Sequence, residues 1–257
     1  MDRFEHILTS LSALAQDADI TLIPVYSNIR TLGPEKDSVF WSDFWNNEFM
    51  SAAFAAVGHV FSKRLGVLSI SSAHDIPNLV PHGSHPLLDP LYSSSDLRIR
   101  HEGFNLSRFE KIKLISDWDL ALQYLRVCNV RKGLQPDRMN CCKCEKCLRT
   151  MALLLALGVL DKAGAFPVKT ISEELVNQSL NPARFKNTAV HFYIELIDPL
   201  KKAGRNDLAR AVEAKIDEFY QLQKRKKWRE KTIEPIKEFD RKYFKGNLKK
   251  LKNSILV

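Results

Sequence analysis

Apolar residues recur at helical spacing at the start of the chain, through Phe4, Ile7, Leu8, Leu11, Leu14 and Ala15, and predict an amphipathic opening helix. Ile20 to Tyr26 follows as a short apolar run of strand length. Trp41 to Phe61 is rich in alanine and aromatics, and Phe44, Phe49, Ala52, Ala53, Ala56, Val57, Val60 and Phe61 suit a helix packed on a sheet. After Gly66 a second continuous apolar run, Val67 to Ile70, enters a serine-rich turn. Helices alternating with short, continuously apolar strands are the pattern of an α/β domain with a parallel sheet. Ligands of such sheets lie beyond the carboxyl ends of the strands. That rule singles out Ser27, Asn28 and Arg30 after one strand, and Ser71, Ser72, His74 and Asp75 after the next.

Pro77 to Ser95 reads as a loop from its prolines, Gly83 and serines, and it gathers His82, Ser84, His85 and Asp89. His82 and His85 stand at metal-ligand spacing or serve hydrogen bonding within the loop. Asp89, between Leu88 and Pro90, is a turn residue or a substrate contact. Arg108 and Lys111 open a helix, where cations oppose the macrodipole. They contact an anionic group there, or form a solvated face partnered by Glu110. Asp117 is a candidate opener of a helix running toward Cys128. Leu148 to Leu160 predicts a buried apolar helix ended by Gly158 and Asp161. From Thr170 onward the pattern is wholly helical, with Thr170 and Glu173 matching a capping box and Leu208, Val212, Ile216 and Phe219 forming a stripe. The expected division is an α/β part over residues 1–166, a helical region over 167–223 and a tail over 224–257.

Charge separates the tail from the rest. The net charge of +9 resides wholly in residues 224–257, with 13 Lys and Arg against 4 acids, while the first 223 residues hold 26 of each sign. A neutral body argues against a broad nucleic-acid groove. In the tail, Ile233, Ile236, Phe239, Tyr243, Leu248, Leu251 and Ile255 interleave with lysines at helical spacing, giving a basic amphipathic helix with Gly246 as its breaking point. Such a helix docks on the body or a partner protein, lies on an anionic membrane, or binds RNA or DNA. No run approaches the roughly 18 apolar residues of a membrane span. The first residues, with Asp2, Arg3, Glu5 and His6, lack the pattern of a signal peptide, so the expected location is cytoplasmic.

All five cysteines, Cys128, Cys141, Cys142, Cys144 and Cys147, fall within twenty residues. In a reducing compartment such clustering points to a metal. Cys141, Cys144 and Cys147 follow the spacing that lets one tight turn aim three thiolates at a point, and Cys128 supplies a fourth. Four sulfurs suit tetrahedral zinc in a closed, structural site, with Cys142 pointing elsewhere. The alternatives are an iron–sulfur cluster, although the ferredoxin spacing would need a cysteine at Met151, and metal-free cysteines. Arg126, Arg131, Lys143, Lys146 and Arg149 are placed to offset the excess negative charge of four thiolates around zinc.

Over Cys128 to Thr150 the sequence resembles the 7-cyano-7-deazaguanine synthase branch of the adenine nucleotide alpha hydrolase superfamily, the PP-loop ATP pyrophosphatases. That family places C-G-x-C-x-x-C and an arginine after an earlier cysteine. Cys141-Cys142-Lys143-Cys144-Glu145-Lys146-Cys147-Leu148-Arg149 matches, with Cys142 in the glycine position. Pro86-Leu87-Leu88-Asp89-Pro90-Leu91 is similar to the family's proline-leucine segment, and Ser107-Arg108-Phe109-Glu110-Lys111-Ile112 to its lysine-bearing helix start. Bacterial relatives with N-C-G-x-C-x-K-C-x-R-T and G-S-H-P-x-x-D-P motifs are more similar still. The resemblance covers roughly residues 1 to 166.

It implies a Rossmann-like parallel sheet and an ATP-driven reaction: an oxygen of the substrate is adenylated, pyrophosphate leaves, and a nucleophile displaces AMP. The family's S-G-G-x-D-S loop, whose amides and hydroxyls grip the phosphates, has no counterpart here, and the chain contains no Gly-Gly pair. The expected fold is therefore an N-terminally incomplete α/β member of this class. It carries a four-cysteine zinc motif and an all-helical C-terminal region, and a companion chain or further segment completes its sheet. Fragment, split subunit and degenerate relative are the three ways such a chain arises. Candidate contacts to nucleotide or substrate are Asn28, Ser72, Ser84, His85, Asp89, Arg108 and Lys111; ATP with Mg2+ binds only if the phosphate loop is supplied. The contrasting expectation is a non-catalytic zinc-stabilised interaction module with a basic tail.

Overall fold

The computed structural model describes residues 3–29, 43–128, 138–186 and 188–244. Helix α1 (Arg3–Asp17) leads into a segment without regular structure, and a π-helical turn at Trp45–Phe49 runs into α2 (Met50–Val60). Strands β1 (Val67–Ser71) and β2 (Arg98–Glu102) follow, then α3 (Arg108–Ile115), α4 (Asp119–Tyr124), α5 (Glu145–Ala156), α6 (Glu173–Ser179), α7 (His191–Lys202) and α8 (Asn206–Phe244). The fold is mixed α/β and mostly helical.

The two strands pair in parallel, in register from Val67 opposite Arg98 to Ser71 opposite Glu102. The connection between them is a loop with two short 3-10 turns. Ala55 of α2 with Ile70, Leu97 and Ile99 forms a small core on this sheet. The larger core runs from Ile112 to Phe219 and joins α3 to α8, with the cysteine segment inside it. Leu148, Met151 and Leu154 of α5, Tyr193 and Leu196 of α7 and Phe219 of α8 are all but fully buried there. Each such side chain contributes roughly 1.5–3 kcal/mol over its exposed state. The stripe Leu208, Val212, Ile216 and Phe219 packs as its spacing predicts. Gly158, at φ +72°, ends the chain's turn out of α5 in the left-handed conformation.

Several expectations are corrected. Ile20 to Tyr26 takes no regular secondary structure and pairs with no strand among the described residues, and Ile20, Val25 and Tyr26 stand exposed. A strand needs a ladder partner, and apolar character alone does not supply one. β2 goes unread in the pattern because Arg98, Arg100 and Glu102 hide the alternation of buried Leu97, Ile99 and His101. Asp117 does not cap α4, whose N-cap position is Trp118. The cap of α6 is Ser172, whose Oγ accepts from Leu175 N, so the Thr170 and Glu173 pairing does not form. Helix α8 runs unbroken for 39 residues, across residues 223 and 224 and through Pro235, a length of about 58 Å, so the helical region and the start of the basic tail share one helix. On it Trp228, Ile236, Phe239 and Tyr243 are all more than half exposed, so they do not pack on the body. Gly246 and the tail beyond residue 244 lie outside the described residues. No helix among the described residues is long and apolar enough to cross a membrane.

Candidate functional site

The four-cysteine cluster, which could hold a metal ion, is built by two short segments meeting at the start of α5. Cys144 is the N-cap residue of that helix and Cys147 lies in its first turn. Cys144 N donates to Cys141 Sγ at 3.3 Å, which folds the three residues into a knuckle. Cys142 takes φ +56°, the left-handed conformation that the turn requires at the position where the resembling family has glycine. Its own side chain is buried in the main core and is not among the four clustered thiols.

Cys128 is held in place by Asn140. The fully buried Asn140 amide donates to Leu125 O at 2.7 Å and Ala165 O at 3.0 Å, and its Oδ1 accepts from Val127 N and Cys128 N at 3.0 and 3.2 Å. The sulfurs of Cys128, Cys141, Cys144 and Cys147 then all lie within 4.8 Å of one another. Three of their separations are 3.9 Å (Cys128 to Cys144), 3.8 Å (Cys141 to Cys147) and 3.5 Å (Cys144 to Cys147). A tetrahedron of sulfurs about 2.3 Å from zinc has edges of about 3.8 Å, so the four thiols fit the ion.

The thiols also divide one ionisation. Cys144 is pulled down to about 5, first by the hydrogen bond from Cys147, while Cys147 is pushed well up by giving that bond and by burial. Burial raises Cys141. The N-terminus of α5 adds its positive end to the thiolate. Among the cations expected to balance the centre, Arg149 on the next turn of α5 is buried and Lys143 and Lys146 are exposed. Arg131 lies outside the described residues.

A second polar node lies under β2. Asp89 is fully buried and accepts from Ser51 Oγ (2.5 Å), His85 N (2.8 Å), Ser84 Oγ (2.8 Å) and His101 Nδ1 (2.7 Å). Burial pushes the carboxyl up, but the four hydrogen bonds outweigh it and hold it below its ordinary value. Beside it Gly83 N donates to Asn46 O at 2.7 Å, and Ser51 N donates to Gly83 O at 2.7 Å. A Cβ on Gly83 would meet the π-turn backbone of Trp45, Asn46 and Glu48 at 3.0–3.1 Å. Gly83, Ser84, His85 and Asp89 thus lock α2 to the sheet. The His85 ring accepts from Leu87 N at 3.1 Å, so His82 and His85 turn to different surroundings.

The third group sits beyond the carboxyl ends of both strands. Lys111 Nζ donates to Ser72 O at 3.1 Å, just after β1, and the loop after β2 is tied in by Ile76 N donating to Phe104 O at 2.8 Å. Arg108 and Arg149 each stand 4.8 Å from the centre of the Phe192 ring. The His74 ring lies 5.9 Å from that of His82 and 5.3 Å from that of His191. Glu195 accepts from Phe109 N at 3.3 Å. Burial lowers all three histidines, His74 to about 4 with further help from its His191, His82 and Arg108 neighbours. Burial also lowers Arg108 and Lys111 and raises Glu195.

Of the sequence-derived candidates, Ser72, His74, Arg108 and Lys111 come together here. Asn28 is exposed on the segment after α1, and its neighbours Ser27 and Ile29 line a different feature. That feature is an apolar groove of about 970 Å³ along β1, walled by Ile23, Val25, Phe54, Val57, Leu68 and Ile70. His191, Phe192 and Glu195 go unread in the sequence, because only the return of α7 across the body brings them to the strand ends. Compared with family models, with curated proteins and with solved structures, the chain matches none.

Proposed function

We propose that this chain is the zinc-bearing part of a PP-loop ATP pyrophosphatase-like protein, a Rossmann-like domain whose whole form activates a substrate by adenylation. The observation that carries the reading is the meeting of Ser72, Arg108 and Lys111 beyond the carboxyl ends of two parallel strands, next to the cysteine knuckle. Ligands of parallel sheets sit at this end. Cys142 in the left-handed conformation, at the glycine position of the resembling motif, supports it too.

Zinc in this reading is structural. Four sulfurs leave no open position for water or substrate, so the ion would fasten the Cys128 segment to α5 and supply no chemistry of its own. The chain's residues would bind and orient the anionic parts of the ligand: Arg108 and Lys111 as charge, Ser72 as the lip of β1.

The phosphate grip itself comes from a partner segment. Arg98 N donates to Gly66 O and Ser72 N to Glu102 O, so alternation along the ladder turns the backbone groups of Val67, Ser69 and Ser71 toward the apolar groove. An extended apolar segment, in this polypeptide or a companion, would complete the sheet there. Calorimetry with Mg-ATP tests the reading: saturable binding without pyrophosphate release by this chain supports it, and no nucleotide binding contradicts it.

A second reading, an interaction module acting through its basic tail, draws on one observation, the exposed Trp228, Ile236, Phe239 and Tyr243 on a lysine-rich helix. Sedimentation with anionic but not neutral vesicles would favour a membrane partner, and RNA binding that falls steeply with salt a nucleic acid.

A further inference from the structure

We infer that the cluster of Arg108, Arg149, His74, His82 and His191 is a binding site for a compact oxyanion of the phosphate type. The site shares the ligand end of the reading above and rests on that placement, but it does not need a nucleotide.

The first ground is unpaired polarity. Buried donors and acceptors in folded proteins are almost always satisfied, and an orphan marks a missing water or ion. Here seven buried side-chain atoms from six residues have no hydrogen-bond partner: His74 Nδ1, His82 Nδ1, Arg108 Nε, Arg149 Nε and Nη1, His191 Nε2 and Glu195 Oε1. Only one further such atom, His101 Nε2, lies elsewhere among the described residues. Arg149 is itself 6% exposed, so water cannot serve it freely.

The second ground is charge. Two guanidiniums approach the same Phe192 ring, with Lys111 and the exposed Lys146 nearby. Their carboxylate company is thin. Arg149 has Glu145 at 3.6 Å, Asp75 already accepts from Asn78 Nδ2 at 2.8 Å, and no acid lies within 4.0 Å of Arg108 among the described ion pairs. Two desolvated cations with only Glu145 in ion-pair range of one of them and Glu195 beside them are under-compensated, and a bound anion offsets that cost directly. The same cations repel a divalent metal, which decides against a three-histidine metal site. Arginine's forked donors suit a tetrahedral oxyanion, and the unpartnered ring nitrogen of each neutral histidine, in the tautomer that carries its N–H there, adds a further donor. Glu195 limits the space on one side. Burial pushes its carboxyl up, which lessens its repulsion of an anion.

Calorimetric titration of the zinc-loaded full chain with inorganic phosphate, AMP and Mg-ATP tests this. Phosphate should bind saturably, at about millimolar affinity or better. Arg108→Gln and, as a milder change, Lys111→Met should each weaken it about tenfold or more, with zinc content and circular dichroism unchanged. Saturable phosphate binding with no gain for AMP or ATP would leave this site standing and overturn the nucleotide reading. No saturation by phosphate or AMP up to about 10 mM, or the same affinity in wild type and in whichever variants fold, would overturn the site itself.

Discussion

Asn140 Oδ1 accepts a hydrogen bond from the backbone N–H of Cys128 at 3.2 Å, so the residue preceding the knuckle also holds its distant fourth sulfur. All four hydrogen-bonding positions of this buried amide are engaged within the fold. Asn140→Ala strands two backbone donors and two carbonyls, and should cost about 2–4 kcal/mol in urea unfolding of the zinc-loaded chain. Zinc affinity measured by chelator competition should fall with it.

Cys142 presents the opposite case, a thiol beside the ligands that takes no part. Cys142→Ala should retain one zinc per chain. Cys142→Gly relieves the left-handed backbone, worth about 1 kcal/mol, but gives up a buried side chain, so the two effects should nearly cancel in thermal unfolding. Loss of stoichiometric zinc in either variant would show that the ligand set is misassigned.

Zinc uptake should be steeply pH-dependent. Cys141 and Cys147 are both held protonated in the metal-free knuckle, while Cys144 is already ionised at neutral pH. Binding must therefore expel at least two protons, and affinity should fall about 100-fold or more for each unit of pH lowered below neutrality. Competition titrations at two pH values measure this slope.

The histidine cluster should make folding sensitive to mild acid. His74 is lowered from 6.5 to about 4, so the unfolded chain takes up a proton that the folded one refuses. Its contribution is fully present above pH 6.5 and is lost as the pH falls from there through about 4. His82 and His191, lowered in the same direction, add to it. Comparing wild type with His74→Gln in urea at about pH 7.5 and pH 5 isolates the effect. The variant should lose about 1–2 kcal/mol less on acidification, a figure that allows for the half-buried setting of the ring.

Asp89 anchors a different part of the body. Asp89→Asn replaces a carboxylate that takes four hydrogen bonds by an amide that brings two donors among donors, and should cost about 2–4 kcal/mol. Because the node clamps α2 to the sheet, amide exchange in Met50–Val60 should rise before that of α5.

The cysteine centre is legible in sequence because its geometry is local: three ligands within seven residues leave one turn to make. Helix α1 and the stripe of α8 are legible for a similar reason, from helical periodicity, and strand β1 from its short continuous apolar run. What escapes depends on contacts remote in the chain. β2 hides behind Arg98 and Arg100. Arg149 reads only as a counter-charge to the thiolates, and its burial against Phe192, whose approach is set by the packing of α7 on α5, is not legible. His74 can be picked out by its place after a strand, but its neighbour His191 stands 117 positions later and no spacing rule links them. The segment from Ile20 to Tyr26 misleads because it has no partner strand among the described residues, which its own sequence does not report.

X-ray absorption at the zinc edge, on the full chain purified without added metal, reads both the identity of the ion and its ligands. One zinc per chain with four sulfurs at about 2.3 Å is the predicted result. An iron edge, a first shell containing nitrogen or oxygen, or no stoichiometric metal would contradict the proposed four-thiolate zinc centre.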